Sequence, residues 1–192
     1  MIYKLGKWIF GFYLRVFNKF VINGKENAVQ EGPMIVFANH FSAFDLFALQ
    51  QVYKNQIYFM AKKELFDTFL VSYFVKAYKA ISVDREGNDI AAVKSAMKVL
   101  KDGNILGIFP EGTRVRDGSR PDAKSGLTML AYKLRVPLQP VRIKYKHRYL
   151  IGNKIEVTVA KPVSYEDLGI TAPSSEQYQL AANKLMASVY EL

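Results

Sequence analysis

Residues 36–46 read VFANHFSAFDL, and the reading of this stretch decides the fold. The apolar run at 34–38 follows a Gly32-Pro33 turn and ends in Asn39-His40, with Asp45 shortly behind the histidine. An uninterrupted apolar run between turn signals fits a buried strand, and the residues at 44–53 then turn helical. A strand that delivers polar residues into a helix is the βα unit of an α/β sheet. In such sheets, sites gather where strands end.

The same alternation continues outward from this unit. Strands are expected at 57–60, 80–83, 104–109, 137–145 and 154–160. Helices are expected at 65–78, 90–101, 124–134 and 175–190. In the 90–101 segment Ile90, Val93, Met97 and Leu100 share one face, with Asn88 or Asp89 as cap and Gly103 as stop. The pattern predicts an α/β domain with a largely parallel mixed sheet flanked by helices. Gly152-Asn153 between the last two strands suits an antiparallel pair there. Residues 21–32, with two glycines, read as a loop.

Residues 2–20 read IYKLGKWIFGFYLRVFNKF. At the helical angle Lys4, Lys7, Gly11, Arg15, Asn18 and Lys19 fall on one arc, and an apolar, aromatic arc fills well over half the circumference. A helix packed on a core needs a stripe somewhat over 100° wide. A wider aromatic face opposite cations predicts an N-terminal amphipathic helix lying in a membrane interface, here assigned to residues 1–22. The alternative is a helix that simply covers a core.

Composition narrows the function classes. The 192 residues are about one domain's worth, and they lack cysteine. That excludes disulfide scaffolds, cysteine-ligated zinc and covalent thiol intermediates. The net charge of +10 with half the residues apolar points to a partner that is both anionic and greasy. No apolar run is long enough to span a bilayer, and the N-terminus carries no small-residue cleavage site. The expectation is a protein at the cytoplasmic face of a membrane, peripheral or monotopic.

Three predicted strand ends carry polar residues: Asn39-His40, Asp84-Arg85 and Pro110-Glu111-Gly112-Thr113-Arg114. A parallel sheet places them along one edge, as a single site. A neutral imidazole at His40 accepts a proton near pH 7, and Asp45 on its other nitrogen fixes the tautomer. Arg85 and Arg114 suit a phosphate, because a guanidinium grips two oxygens at once. Glu111 is read as the acceptor for a substrate hydroxyl, ahead of a second catalytic carboxylate or a residue that orders the turn.

No metal site is expected, since Asp45, Glu111 and His40 lack clustered ligand spacing. The sequence contains no GxSxG elbow, phosphate loop, HExxH or GxGxxG. Direct attack by a substrate hydroxyl is then the simpler chemistry. On the 141–149 strand Arg142, Lys144, Lys146 and Arg148 alternate with apolar residues, either as a solvated edge or as a stripe for an anionic partner. Leu65, Phe66, Phe69, Leu70 and Phe74 read as ordinary core at helical spacing, with an acyl-chain tunnel as the alternative.

The blocks NHFSAFD (39–45) and FPEGTR (109–114) resemble the first two signatures of the 1-acylglycerol-3-phosphate acyltransferases, within the glycerolipid acyltransferase family. ISVDRE (81–86), VPLQPV (136–141) and the lysine-x-glycine of AKSG (123–126) resemble further blocks in the family's order. Ala80 stands where a glycine is common, and Val115 where a serine is common.

The resemblance, covering residues 24–162, implies an acyltransferase domain at 23–192 with His40 as general base and Asp45 as its partner. It implies that Arg85, Glu111, Gly112, Thr113, Arg114 and Lys124 hold the acceptor. It implies transfer of a fatty acyl group from acyl-CoA or acyl carrier protein to the free hydroxyl of 1-acylglycerol-3-phosphate, a lysophospholipid, giving phosphatidic acid without cofactor at an anionic membrane surface. Acylation of another lysolipid or of glycerol phosphate is the nearest alternative. A basic nucleic-acid-binding domain is the rival from another class, and no nucleic acid is expected because no binding motif is present.

Overall fold

The fold is that of a computed structural model, which describes residues 2–84, 90–115, 117–145 and 151–192. The elements run α1 (Ile2–Val16), β1 (Lys19–Asn23), β2 (Met34–Ala38), α2 (Asp45–Gln50), β3 (Ile57–Lys62), α3 (Phe69–Ala77) and β4 (Ile81–Val83). They continue with α4 (Ile90–Lys101), β5 (Ile105–Ile108), α5 (Gly126–Leu134), β6 (Leu138–Tyr145), β7 (Lys154–Val159) and α6 (Ser175–Glu191). The strands form one sheet in the order β1-β7-β6-β2-β5-β3-β4.

Strand β2 lies at the centre of the sheet, paired in parallel with β5 and β6, and all five of its residues are buried. Side chains alternate across a strand. Ile35 and Phe37 therefore enter the core beneath α4, α5 and α6, while Met34, Val36 and Ala38 enter the core beneath α1 and α2. Strands β3 and β4 extend the parallel part beyond β5. The ends of β2, β3, β4 and β5 consequently share one edge, as expected. β6 and β7 are antiparallel, also as expected.

The N-terminal helix is shorter than its periodicity predicts. It stops at Val16, and residues 19–23, read above as helix end and loop, form a strand parallel to β7. Local hydrogen bonds explain the break. Gly152 N–H donates to Phe17 O (2.7 Å), Lys19 N–H to Asn153 O (2.9 Å) and Asn153 N–H to the buried Asn18 side chain (3.2 Å). These draw the chain out of the helix and onto β7, an edge that would otherwise stay unpaired.

The apolar arc of α1 divides between two surroundings. Phe10 meets the rings of Phe44 and Phe47, Leu14 is fully buried, and Lys7 donates to the backbone oxygens of Tyr53 and Lys54 just beyond α2. Leu5, Trp8, Ile9, Phe12 and Val16 remain exposed. The arc is too wide for one partner because only part of it covers the core. No helix among the described residues is long and apolar enough to cross a membrane.

The segment at 65–78 departs from the reading as ordinary core: Leu65, Phe69 and Phe74 are exposed, on a short 3-10 turn (Lys63–Phe66) and on α3. The strand β4 that follows is three residues long and offers α3 little to pack on.

Candidate active site

His40 follows β2 at the shared strand edge. Its Nδ1 lies 2.9 Å from Asp45 Oδ2, with the His40 side chain 14% exposed and Asp45 fully buried. The same carboxylate oxygen accepts the N–H groups of Phe41 (2.7 Å) and Ser42 (2.8 Å). A carboxylate held by backbone donors is only an acceptor, so Nδ1 carries the proton and Nε2 is left with its lone pair. Asp45 opens α2, which brings it back over the loop to the histidine.

Two neighbours hold the strand end in register. Asn39, fully buried, donates to Ile143 O (2.9 Å) and accepts from Ile143 N–H (2.8 Å), continuing the pairing of β2 with β6 through its side chain. Phe109 stacks on the His40 imidazole at 4.0 Å between ring centroids, and Phe59 stacks on Phe109 at 5.7 Å. Phe109, backed by Phe59, fixes the plane of the histidine.

The loop after β5 reaches the same place. Glu111 accepts the His40 N–H at Oε2 (2.7 Å), and Val115 N–H donates to His40 O (2.8 Å), so both backbone groups of the histidine are bound by this loop. Glu111 is 3% exposed, and its Oε1 accepts the Tyr190 hydroxyl from the end of α6. Both oxygens face inward, and the residue orders the turn.

Burial pushes the Glu111 carboxyl above the usual carboxylate range, with the Asp45 charge adding to the rise and the bonds from Tyr190 and His40 opposing it. Tyr190 is pushed up in turn, first by burial and then by its bond to Glu111.

Gly112 sits at φ +71°, a conformation that favours glycine, and a Cβ there would approach the Lys124 stem to 3.3 Å. Its N–H donates to Phe109 O (3.0 Å). That N–H is therefore already bonded within the turn. Thr113, Arg114 and Lys124 are exposed beside the turn. Arg85, Lys146, His147 and Arg148 lie outside the described residues, as do the helix caps considered at Asn88 and Asp89. Among the described residues no group of three His, Cys, Asp or Glu side chains is placed to hold a metal ion.

The structure adds residues that no motif announced. Tyr190 reaches Glu111 from the far end of the chain. Arg142, assigned above to a surface stripe, instead donates to the Tyr190 backbone oxygen, and Arg120 lies over the Tyr190 ring at 4.9 Å. Arg142 is held below the ordinary arginine value by burial and by the Arg120 charge. Only the helix at 175–190 was readable; the bond its last tyrosine makes depends on where the helix ends against the sheet.

The sequence and the fold match known proteins. The family model described as acyltransferase covers residues 19–144. The chain belongs to the acyltransferase family.

The 1-acyl-sn-glycerol-3-phosphate acyltransferase of Bacillus subtilis is 30% identical over 176 residues, spanning 89% of this chain and 86% of that one. The enzyme of the same name from Borreliella burgdorferi is 29% identical over 79% of this chain but 59% of its own length. The acyltransferase therefore spans less than two thirds of some relatives. The crystal structure of the 1-acyl-sn-glycerophosphate acyltransferase PlsC from Thermotoga maritima matches with a TM-score of 0.72 and 27% identity, over 93% of this chain and 74% of that one.

Proposed function

We propose that this acyltransferase moves a fatty acyl group from a thioester, acyl-CoA or acyl carrier protein, to the free hydroxyl of 1-acylglycerol-3-phosphate, giving phosphatidic acid. The observation that carries this reading is the His40–Asp45 pair at the sheet edge, beside the turn that bears Arg114. The names of the relatives support the acceptor.

In this reading His40 Nε2 takes the proton of the acceptor hydroxyl as its oxygen attacks the thioester carbonyl. A tetrahedral oxyanion forms, the carbon–sulfur bond breaks as it collapses, and the imidazolium passes the proton to the leaving thiolate, which restores neutral His40. Asp45, already bound to Nδ1, stabilises that imidazolium without a proton transfer of its own. Arg114, Thr113 and Lys124, with Arg85, receive the acceptor phosphate. A general base of this kind contributes roughly 10²–10⁴-fold in rate.

The exposed aromatic face of α1 seats the protein at the cytoplasmic face of a membrane, where acceptor and product reside. The charge of +10 favours anionic lipid there.

Purified protein given labelled acyl-CoA and 1-acylglycerol-3-phosphate should yield phosphatidic acid, and His40→Ala should lower kcat by about 10²–10⁴-fold. Turnover near the wild-type level in that variant would remove His40 as the base. Parallel reactions with acyl carrier protein as donor, and with glycerol phosphate and other lysophospholipids as acceptors, decide the substrates.

A further inference from the structure

We propose that α3, with the turn before it, is a second membrane-seated element, which together with α1 forms one docking surface framing the mouth of the site. This rests on the reading that α1 lies in the membrane interface. Phe69 is 90% exposed, and Leu65, Val71, Tyr73 and Phe74 are exposed with it. Apolar residues surround this helix on nearly every side. A helix of that composition belongs in a core or in lipid, and the fold supplies no core. At about 1.5 Å per residue its 9 residues are too short to span a bilayer, so it lies in the interface.

Position and charge identify lipid as the occupant. Tyr78, at the end of α3, is buried with its ring 5.2 Å from Tyr3 of α1 and 5.5 Å from Phe47 of α2. The exposed apolar residues of α3 are thereby joined to Leu5, Trp8, Ile9, Phe12 and Val16 on the same side of the sheet. Phe44, also exposed and stacked on Phe10, stands between this surface and the dyad, one residue before Asp45.

Cations accompany both helices. Residues 2–16 contain Lys4, Lys7 and Arg15 and no acid, and residues 62–79 contain four lysines against Glu64 and Asp67. Of those lysines, Lys62 pairs with Glu64 and Lys63 with Asp84. Lys76 and Lys79, at the other end of α3, are left exposed toward headgroups, Lys79 lying near the Tyr58 ring. Anchoring on both helices sets the sheet edge that carries His40 against the lipid surface, so acceptor and product exchange laterally.

The chain has a single tryptophan, Trp8, 67% exposed on α1, which serves as a reporter. The experiment compares wild type, Trp8→Phe/Phe69→Trp and Trp8→Phe/Leu180→Trp on phosphatidylcholine–phosphatidylglycerol vesicles whose acyl chains carry bromine quenchers. Leu180 is exposed on α6, on the opposite side of the sheet, and all three replaced side chains are solvent-facing.

The expected result is quenching of the position-69 indole comparable to that of Trp8, with the position-180 indole unquenched. Quenching of Trp8 without position 69 overturns the proposal and leaves the reading of α1 standing. Quenching at neither overturns both. Quenching at position 180 as well means unoriented adhesion and overturns the proposal. A position-69 indole already shielded without lipid, in a protein that sediments as a dimer, gives the surface to a second copy instead.

Discussion

At the scale of residues, the histidine is held through its backbone as well as through its ring. Glu111 binds the His40 N–H, Val115 binds the His40 oxygen, and Tyr190 completes the carboxylate. Burial raises the Glu111 carboxyl above its unfolded value near 4.5. The cost of ionising it in the fold is therefore full above the raised folded value and is lost as pH falls toward 4.5. Tyr190→Phe removes a donor that favours the charged form. Leaving that oxygen unbonded should cost about 1–3 kcal/mol near neutral pH and less near pH 4.5, where Glu111 is protonated. Chemical denaturation of both proteins across pH tests this; a difference that grows toward acid would contradict the placement. The same variant should lower kcat while leaving KM for the acceptor near wild type, because Tyr190 touches no substrate in this scheme.

At the scale of elements, strand β5 sets the plane of the histidine from a distance. A Cβ at Gly107 would stand on the Phe59 ring and 2.7 Å from Ile57 Cγ2, and Phe59 in turn backs Phe109 against His40. Gly107→Ala should therefore cost about 1–3 kcal/mol through overpacking and lower kcat, while Gly103→Ser, strained only through its backbone at φ +77° because a Cβ there meets nothing within 4 Å, should lose stability and leave kcat unchanged. Thermal denaturation and steady-state kinetics on both variants separate the two. If Gly107→Ala lost stability but kept full turnover, the stack of rings would have no part in orienting the base.

This element scale is also where the sequence was most and least readable. The βα alternation, the shared strand edge and the reach of Asp45 to His40 follow from local patterns that survive in any register. The strand at Lys19–Asn23 does not, because it exists only through bonds to Gly152 and Asn153, far along the chain. The bond between Glu111 and Tyr190 was unreadable for the same reason: the partner is the last tyrosine of α6. The apolar spacing of α3 was correctly seen, but spacing alone does not reveal whether a core lies opposite.

At the scale of the whole molecule, charge and apolar surface act together, and salt separates them. The net charge is +10, and a cation at an anionic surface contributes about 1 kcal/mol at low salt. Lys4 on α1 and Lys76 on α3 are both exposed, and replacing both with glutamine removes about 2 kcal/mol, roughly thirtyfold in partition at about 1.4 kcal/mol per decade. The Debye length falls from about 10 Å at 0.1 M salt to about 3 Å at 1 M. The loss should therefore shrink toward nothing in high salt, while binding through Trp8, Phe12 and Phe69 persists. Co-sedimentation with anionic and neutral vesicles over a salt series measures both parts. A protein that clung to single-stranded DNA more tightly than to anionic vesicles, and released both completely in high salt, would be bound by charge alone, and the aromatic faces of α1 and α3 would then have no lipid to meet.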